Sequence, residues 1–537
     1  MTLAALSERM RGTLDTLRIL GDTGALNPSF LVGLVRNVSK FGRGPAAGIA
    51  AGAARTPDVA AIIDEAGRLS FAEVHRRTNA MARGLAGAGV TAADGVGILC
   101  RNHRGFVEAT VAAGKLGADS LYLNTGFAGP QLADVLEREN ISTVIYDEDF
   151  APVIEQGAGK RRRFLAWHEG APKDPSLEEL AQQYPDSDTI RPTRDGAATI
   201  LTSGTTGTPK GARRGSVSTG LKTLVGIFEK MPLRTRETTV IAAPTFHSWG
   251  LTHFLLSSML GSTMVLRRRF DPEATLAMIA ENRGTVLAVV PVMMQRILEL
   301  PAEVIRRYDT SSLRLVAASG SALPGELALR WMDTFGDSLV NFYGSTEVAQ
   351  ATIATPDDLR AAPGTAGRPP RGTVVKLLDD QGVEVPTGQV GRIFVGNDAQ
   401  FDGYTGGGGK EVIEGLMSIG DVGYLDAEGR LFVGGRDDDM TVSGGENVFP
   451  REVEDLLADH PKISEAAVIG VADDEFGQRL KAFVVLRAGE HFGDDEVKEH
   501  VKRYLARYKV PREVVFLDEL PRNPTGKVLK RVLREAD

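Results

Sequence analysis

Ten residues constrain this chain more than any other stretch: Thr202-Ser203-Gly204-Thr205-Thr206-Gly207-Thr208-Pro209-Lys210-Gly211. They follow Ala197-Ala198-Thr199-Ile200-Leu201, a short apolar run with the composition of a buried strand. Glycines let a backbone turn its N–H groups towards one point, and hydroxyls and an ammonium add further donors. Such a loop suits a polyphosphate; its competitor is an ordinary polar turn. It is not a P-loop, which needs Gly-Lys-Ser/Thr four residues after its first glycine. Here Pro209 precedes the lysine and Gly211 follows it.

Composition narrows the partners. With 62 basic and 70 acidic residues the net charge is −8, which argues against a nucleic-acid protein. Cys100 is the single cysteine, so neither a disulfide framework nor a cysteine metal site is available. No apolar run approaches the length of a membrane span. Glu8, Arg9, Arg11 and Asp15 interrupt what could have been a signal peptide, and the expectation is a cytoplasmic protein. At 537 residues, more than one domain is expected.

Residues 1–54 read as a helical extension. Leu3, Leu6, Met10, Leu14 and Leu17 recur at helical spacing, and Phe30–Val35 form a second apolar patch. Arg36, Lys40 and Arg43 follow it, so residues 1–45 either pack on the body or make peripheral contact with a membrane surface. From residue 55 strand-like runs at 96–100, 120–123, 143–146, 198–201, 239–243, 263–266, 286–290, 314–318 and 374–378 alternate with helix-length segments. Phe71, Val74, Thr78, Met81 and Leu85 trace one such helical face. The pattern predicts an α/β protein with mostly parallel, helix-covered sheets.

Four further landmarks stand in order. Thr245-Phe246-His247-Ser248-Trp249-Gly250 follows the run at 239–243. Ser319-Gly320-Ser321-Ala322 and Asn341-Phe342-Tyr343-Gly344-Ser345-Thr346-Glu347 come next. An aromatic can stack on a purine, a hydroxyl can bind phosphate, and a carboxylate can hold Mg²⁺ beside it. Gly420-Asp421 and Gly434-Gly435-Arg436 form the third group; Pro521-Arg522-Asn523-Pro524-Thr525-Gly526-Lys527 is the last.

Together these motifs resemble the adenylate-forming superfamily, over about residues 55–537, and most closely its fatty-acyl-CoA ligases. The resemblance implies a large N-terminal domain of two helix-covered sheets plus a barrel-like sheet, and a small mobile α+β C-terminal domain. The expected division is 1–54, 55–436 and 437–537, with a hinge at Asp438. It further implies ATP and CoA as co-substrates, with Mg²⁺ as the metal cofactor. ATP would meet Thr202, Ser203, Gly204, Thr205, Thr206, Gly207, Thr208, Pro209 and Lys210, then Gly320, Ser321 and Ala322. It would also meet Asn341, Phe342, Tyr343, Gly344, Ser345 and Thr346, with Asp421 on the ribose and Arg436 nearby. Glu347 would hold the metal, Lys527 would be the catalytic lysine, and His247 would border the carboxylate pocket with Phe246, Trp249 and Ser321. His253 has no counterpart in this pattern and reads as structural. Ser443, Gly444 and Gly445 would pass the pantetheine arm. The family shows an aromatic and a threonine shortly before the ribose aspartate, whereas Leu416-Met417-Ser418-Ile419-Gly420 has neither. The implied reaction joins a carboxylic acid, of medium or long chain, to CoA through an acyl-adenylate. A carrier protein as acceptor and an aryl acid as substrate are the alternatives. Small molecules are thus the expected partners, and the sequence assigns no oligomeric state.

Overall fold

The computed structural model describes residues 14–187, 191–202, 210–214, 220–437, 441–443, 446–473 and 477–535. The chain packs as two units, residues 1–317 with 398–409, and residues 318–397 with 410–537.

In the first unit, helices α1 (Pro28–Phe41) and α2 (Pro45–Arg55) each begin on a proline, whose fixed φ and missing N–H suit a first turn. One sheet has strand order β6–β5–β3–β4–β1–β2, from β1 (Ala60–Asp64), β2 (Gly67–Ser70), β3 (Thr238–Ile241), β4 (Thr263–Leu266), β5 (Val286–Val289) and β6 (Leu315–Ala318). Ile62, Met264, Thr239 and Val286 lie in one row across four parallel strands. Helix α3 (Phe71–Gly87) starts in a capping box between Ser70 and Glu73, and its predicted face, Phe71, Val74, Thr78, Met81 and Leu85, is fully buried. Helix α4 (Arg104–Leu116) ends on left-handed Gly117. The second sheet runs Gly403–Tyr404, Lys210–Arg214, Ala198–Thr202, Asp119–Tyr122, Gly95–Leu99, Ile141–Asp147 and Arg162–Trp167, parallel through its last five strands. Near-continuous apolar strands are what a sheet covered on both faces demands.

In the second unit, β7 (Leu339–Tyr343) pairs antiparallel with Thr352–Ala354. A five-stranded sheet follows, built on β8 (Leu416–Leu425) and β9 (Leu431–Arg436). Register shifts within its β8 pairings bend it into the barrel-like sheet expected from the resemblance. The C-terminal part is the expected α+β piece: an antiparallel pair, Ile463–Asp473 with Gly477–Leu486, takes a parallel strand at Glu513–Phe516. Its helices, Pro450–Ala458 and Asp494–Tyr504, bury Val453, Leu457, Val497 and Val501. The last of these helices ends at Tyr504, and Tyr504 and Tyr508 are exposed. No helix among the described residues is long and apolar enough to cross a membrane.

Candidate active site

The donor-rich loop is anchored in a hairpin: Thr202 lies opposite Lys210 in the pair Ala198–Thr202/Lys210–Arg214. Ser203, Gly204, Thr205, Thr206, Gly207, Thr208 and Pro209 fall outside the described residues. Beyond the loop, the Thr405 N–H donates to the Gly211 carbonyl at 2.9 Å and its hydroxyl to Glu139 at 2.7 Å. Lys210 is exposed, its ammonium 5.3 Å from the centre of the Tyr404 ring.

The second motif leaves the end of β3 and enters helix α5 (Ser248–Leu260). Asn102, which sequence reasoning passed over, fixes the turn between them. Its amide donates to the carbonyls of Ile241 (3.1 Å) and Ala243 (2.8 Å), and its oxygen accepts from the Thr245 N–H and hydroxyl at 2.8 and 3.0 Å. An Asn after an apolar strand was the only sequence signal. A Cβ at Gly250 would stand 2.3 Å from the Pro244 carbonyl oxygen, so only glycine lets the helix start this close to the turn. Phe246 and Trp249 are buried, and His247 is half-buried with the Ser248 hydroxyl 3.4 Å from its Nδ1. The Trp249 indole N–H donates to the carbonyls of Val289 (3.1 Å) and Ala317 (3.3 Å), at the ends of β5 and β6. His253, one turn further on, packs edge-on against that indole at 4.7 Å between ring centres.

In the second unit four chain segments converge. The Tyr343 hydroxyl donates to Asp421 Oδ2 at 2.5 Å, and Arg436 donates to Asp421 Oδ1 at 3.2 Å. Asp421 and Arg436 are direct cross-strand partners of β8 and β9, so the pairing register itself makes this contact. Within β8 the Ser418 hydroxyl accepts from the Gly420 N–H at 3.3 Å, with Gly420 at φ +82°. Burial raises the Asp421 carboxyl above its usual value, opposed by Tyr343, Arg436, Arg451 and Lys527. Burial likewise lowers the Lys527 ammonium, opposed by Asp421, reinforced by Arg436 and opposed again by Glu347. Glu347 is buried, and its N–H donates to the Ser345 hydroxyl at 3.2 Å. Asn341 donates to the Thr365 carbonyl at 3.3 Å. A Cβ at Gly344 would stand 2.3 Å from the Ala349 carbonyl oxygen, which keeps the turn after Tyr343 tight.

Asn523 builds the turn that carries Lys527. Its side-chain oxygen accepts from the Thr525 N–H (3.0 Å), the Thr525 hydroxyl (2.7 Å) and the Lys527 N–H (2.9 Å). Arg522 closes the same turn on the Gly526 carbonyl at 2.6 Å. Gly320 takes φ +97°, and Ser321 and Ala322 are exposed. Ser443 lies in the strand Thr441–Ser443, whereas Asp438, Gly444 and Gly445 are outside the described residues.

One other cluster has the chemistry of a site and is closed. Cys100, His103 and Asp147 are buried with their ligand atoms within 4.8 Å of one another. His103 Nδ1 accepts the Gly105 N–H at 3.0 Å, so the proton is on Nε2, which donates to Asp147 at 2.8 Å. Neither ring nitrogen is left for a thiol or a metal. The residue that fits a hard cation is Glu347, a buried carboxylate among phosphate-binding residue types. Mg²⁺ is commonly held by one or two carboxylates plus substrate phosphates.

Residues 49–405 match the family model described as AMP-binding enzyme, and residues 452–527 match the AMP-binding enzyme C-terminal domain. A feruloyl-CoA synthase of Amycolatopsis sp is 34% identical over 488 residues, covering 89% of this chain and 96% of that protein. The long-chain-fatty-acid–CoA ligase FadD13 of Mycobacterium tuberculosis is 30% identical over 475 residues, covering 87% and 93%. The crystal structure of ATP-bound MatB from Rhodopseudomonas palustris superposes with TM-score 0.80 at 28% identity, covering 90% of this chain and 96% of that one.

Proposed function

We propose, for a chain that belongs to the AMP-binding enzyme family and within it to the AMP-forming acyl-CoA synthetases, that it activates a hydrophobic carboxylic acid with ATP and passes the acyl group to the CoA thiol. The observation that carries this reading is the convergence of Tyr343, Asp421, Arg436 and Lys527, with Glu347 among the charges acting on the lysine.

The chemistry follows from charge. A carboxylate is ionised at neutral pH and needs no general base to attack the α-phosphorus. It does need the charge of an anion approaching a polyanion to be neutralised, and Lys527 supplies an ammonium for that. Tyr343 and its neighbours Asn341, Phe342, Gly344 and Ser345, with Gly320, Ser321 and Ala322, take the nucleoside, and the Thr346 hydroxyl takes phosphate. Asp421 uses one lone pair on each oxygen for Tyr343 and Arg436, and keeps acceptor capacity for the ribose hydroxyls. The loop from Thr202 to Lys210 orients the departing pyrophosphate. Glu347 would hold Mg²⁺, which when bound supplies Lewis-acid charge to the phosphate oxygens. His247 and Phe246 border the acid's carboxylate. Ser443, Gly444 and Gly445 pass the pantetheine arm, whose thiolate attacks the acyl carbonyl of the adenylate, breaking the acyl–phosphate bond and releasing AMP. The division at residues 54/55 and 436/437, with Asp438 as hinge, is part of the same proposal.

For the acid, a medium- or long-chain fatty acid has the support of the FadD13 relative. A second reading, an aryl acid, is favoured by Trp249, whose pinned indole gives a ring a fixed flat neighbour, and by the feruloyl-CoA synthase relative. CoA is taken as acceptor because both relatives are named for it. Residues 1–45 are assigned to an anionic membrane surface. The support is that Leu14, Leu17, Leu31, Val32 and Val35 are exposed, and that Arg36 and Arg43 are exposed beside them.

The test separates the two half-reactions. Lys527→Ala is expected to lose acid-dependent pyrophosphate release while still converting supplied acyl-adenylate and CoA to thioester. Equal loss of both halves would remove this role for the lysine, and no pyrophosphate release by the unaltered protein with any acid would remove the reading itself.

A further inference from the structure

Residues 398–409 pack with the first unit although the chain on either side of them belongs to the second. This strap is tied at both ends to the chain that follows the phosphate loop. At its start the Asp398 carboxylate accepts the Thr223 hydroxyl and, at 3.2 Å, the Thr223 N–H, in the first turn of the helix Leu221–Lys230. A Cβ at Gly220 would stand 1.9 Å from the Asp398 Cγ, so the helix start and the strap meet this closely because that residue is glycine. Towards its end Gly403–Tyr404 add an edge strand to Lys210–Arg214, with Tyr404 opposite Ala212.

Side chains alternate across a strand, so the two faces of this pairing carry different residues. On one face a Cβ at Gly211 would stand 2.6 Å from the Thr405 hydroxyl and 2.8 Å from the Glu139 carboxylate. Thr405 donates to that carboxylate at 2.7 Å and Arg138 donates to it at 3.0 Å, which locks the strap in register. On the other face Lys210 and Ala212 lie beside Tyr404. Ala212 is fully buried, Phe401 stands edge-on to the Tyr404 ring at 4.9 Å, and the Lys210 ammonium is 5.3 Å from the centre of that ring.

A cation at this distance from a ring centre is drawn to the ring by its quadrupole. Lysine is a point charge on a flexible stem, and an exposed one spreads over many rotamers unless something holds it. The ring carries no formal charge, so it orients the ammonium without cancelling the positive charge that a departing polyanion requires. A carboxylate in its place would hold the lysine and repel the pyrophosphate; the Glu139 carboxylate is kept to the opposite face.

We infer that Tyr404 is a positioning residue for Lys210, holding its ammonium where it meets the departing pyrophosphate, with the strap as the support that fixes the ring. This rests on the ligase reading, in which the loop ending at Lys210 orients pyrophosphate, and adds to it a residue from a distant part of the chain.

The experiment is exchange of labelled pyrophosphate into ATP by the full chain, with octanoate or cinnamate as the acid, whichever supports the faster exchange. In Tyr404→Leu the KM for pyrophosphate should rise about 5-fold, the size of an exposed cation–π contact, with kcat kept within about twofold. Tyr404→Phe retains the ring face, and its KM should stay within about twofold of the unaltered protein. Tyr404→Leu made in Lys210→Ala should add nothing to the KM, because the ring acts through the lysine. A strap merely loosened predicts instead a lower thermal midpoint and the same rise in KM with or without Lys210. An unchanged KM in Tyr404→Leu, equal rises in Tyr404→Leu and Tyr404→Phe, or additivity with Lys210→Ala overturns the proposal and leaves the ligase reading standing. If Lys210→Ala gives no measurable exchange, the comparison of Tyr404→Leu with Tyr404→Phe decides. Tyr404→Met, which has bulk without a ring, replaces Tyr404→Leu if that variant does not fold. No exchange with any carboxylic acid overturns both.

Discussion

Asn523→Ala removes the one oxygen on which the turn before Lys527 is built. Three hydrogen bonds end there, from the Thr525 N–H and hydroxyl and from the Lys527 N–H. Each is worth on the order of 1 kcal/mol net, so the turn loses about 3 kcal/mol of its preference for one conformation. If that preference serves to hold the Lys527 ammonium where charge develops, adenylation should fall by ~10²-fold, at 1.36 kcal/mol per decade. The assay is single-turnover pyrophosphate release, with thioester formation from supplied acyl-adenylate run in parallel. Asn523→Asp keeps the acceptor and should restore adenylation to within a few-fold. Unchanged adenylation in Asn523→Ala would refute the claim that this turn positions the lysine. An equal fall in both half-reactions would refute the assignment of the lysine to adenylation alone.

Burial lowers the Lys527 ammonium from 10.5, so the positive charge is lost as pH rises through a lower value than for a free lysine. Adenylation should therefore decline on the alkaline side below pH 10.5, and Lys527→Arg, whose guanidinium stays charged, should abolish that limb even at reduced rate. The stability contribution has the opposite sign: across that window the unfolded chain binds the extra proton, so folding is favoured as pH rises. Val32→Asp with Val35→Asp should reduce co-sedimentation with phosphatidylglycerol vesicles and leave pyrophosphate release in solution unchanged; unaltered vesicle binding would remove the membrane assignment. Asp438→Pro should keep adenylation and lose thioester formation, and normal overall turnover would show that the hinge is elsewhere.

What the sequence revealed follows what each signal encodes. The helical face of α3 and the strands of the parallel sheets were legible because burial imposes periodicity on residue type. The convergence of Tyr343, Asp421, Arg436 and Lys527 was legible only through the resemblance, since nothing local links a tyrosine on β7 to a lysine nearly two hundred residues later. Asn102 was missed because one asparagine after a strand is indistinguishable from a turn residue until its four hydrogen bonds are known.

The contact between Asp421 and Arg436 is made within one hairpin, whereas Lys527 reaches it from far downstream. The order of synthesis therefore separates recognition from reaction. A nascent chain that has passed residue 436 already contains every described residue here assigned to adenine and ribose, and still lacks the cation that would let it consume the nucleotide. On the proposed assignment, a chain stopped between residues 437 and 526 is expected to lose acid-dependent pyrophosphate release before it loses nucleotide binding, which equilibrium ATP binding by the truncated chain checks.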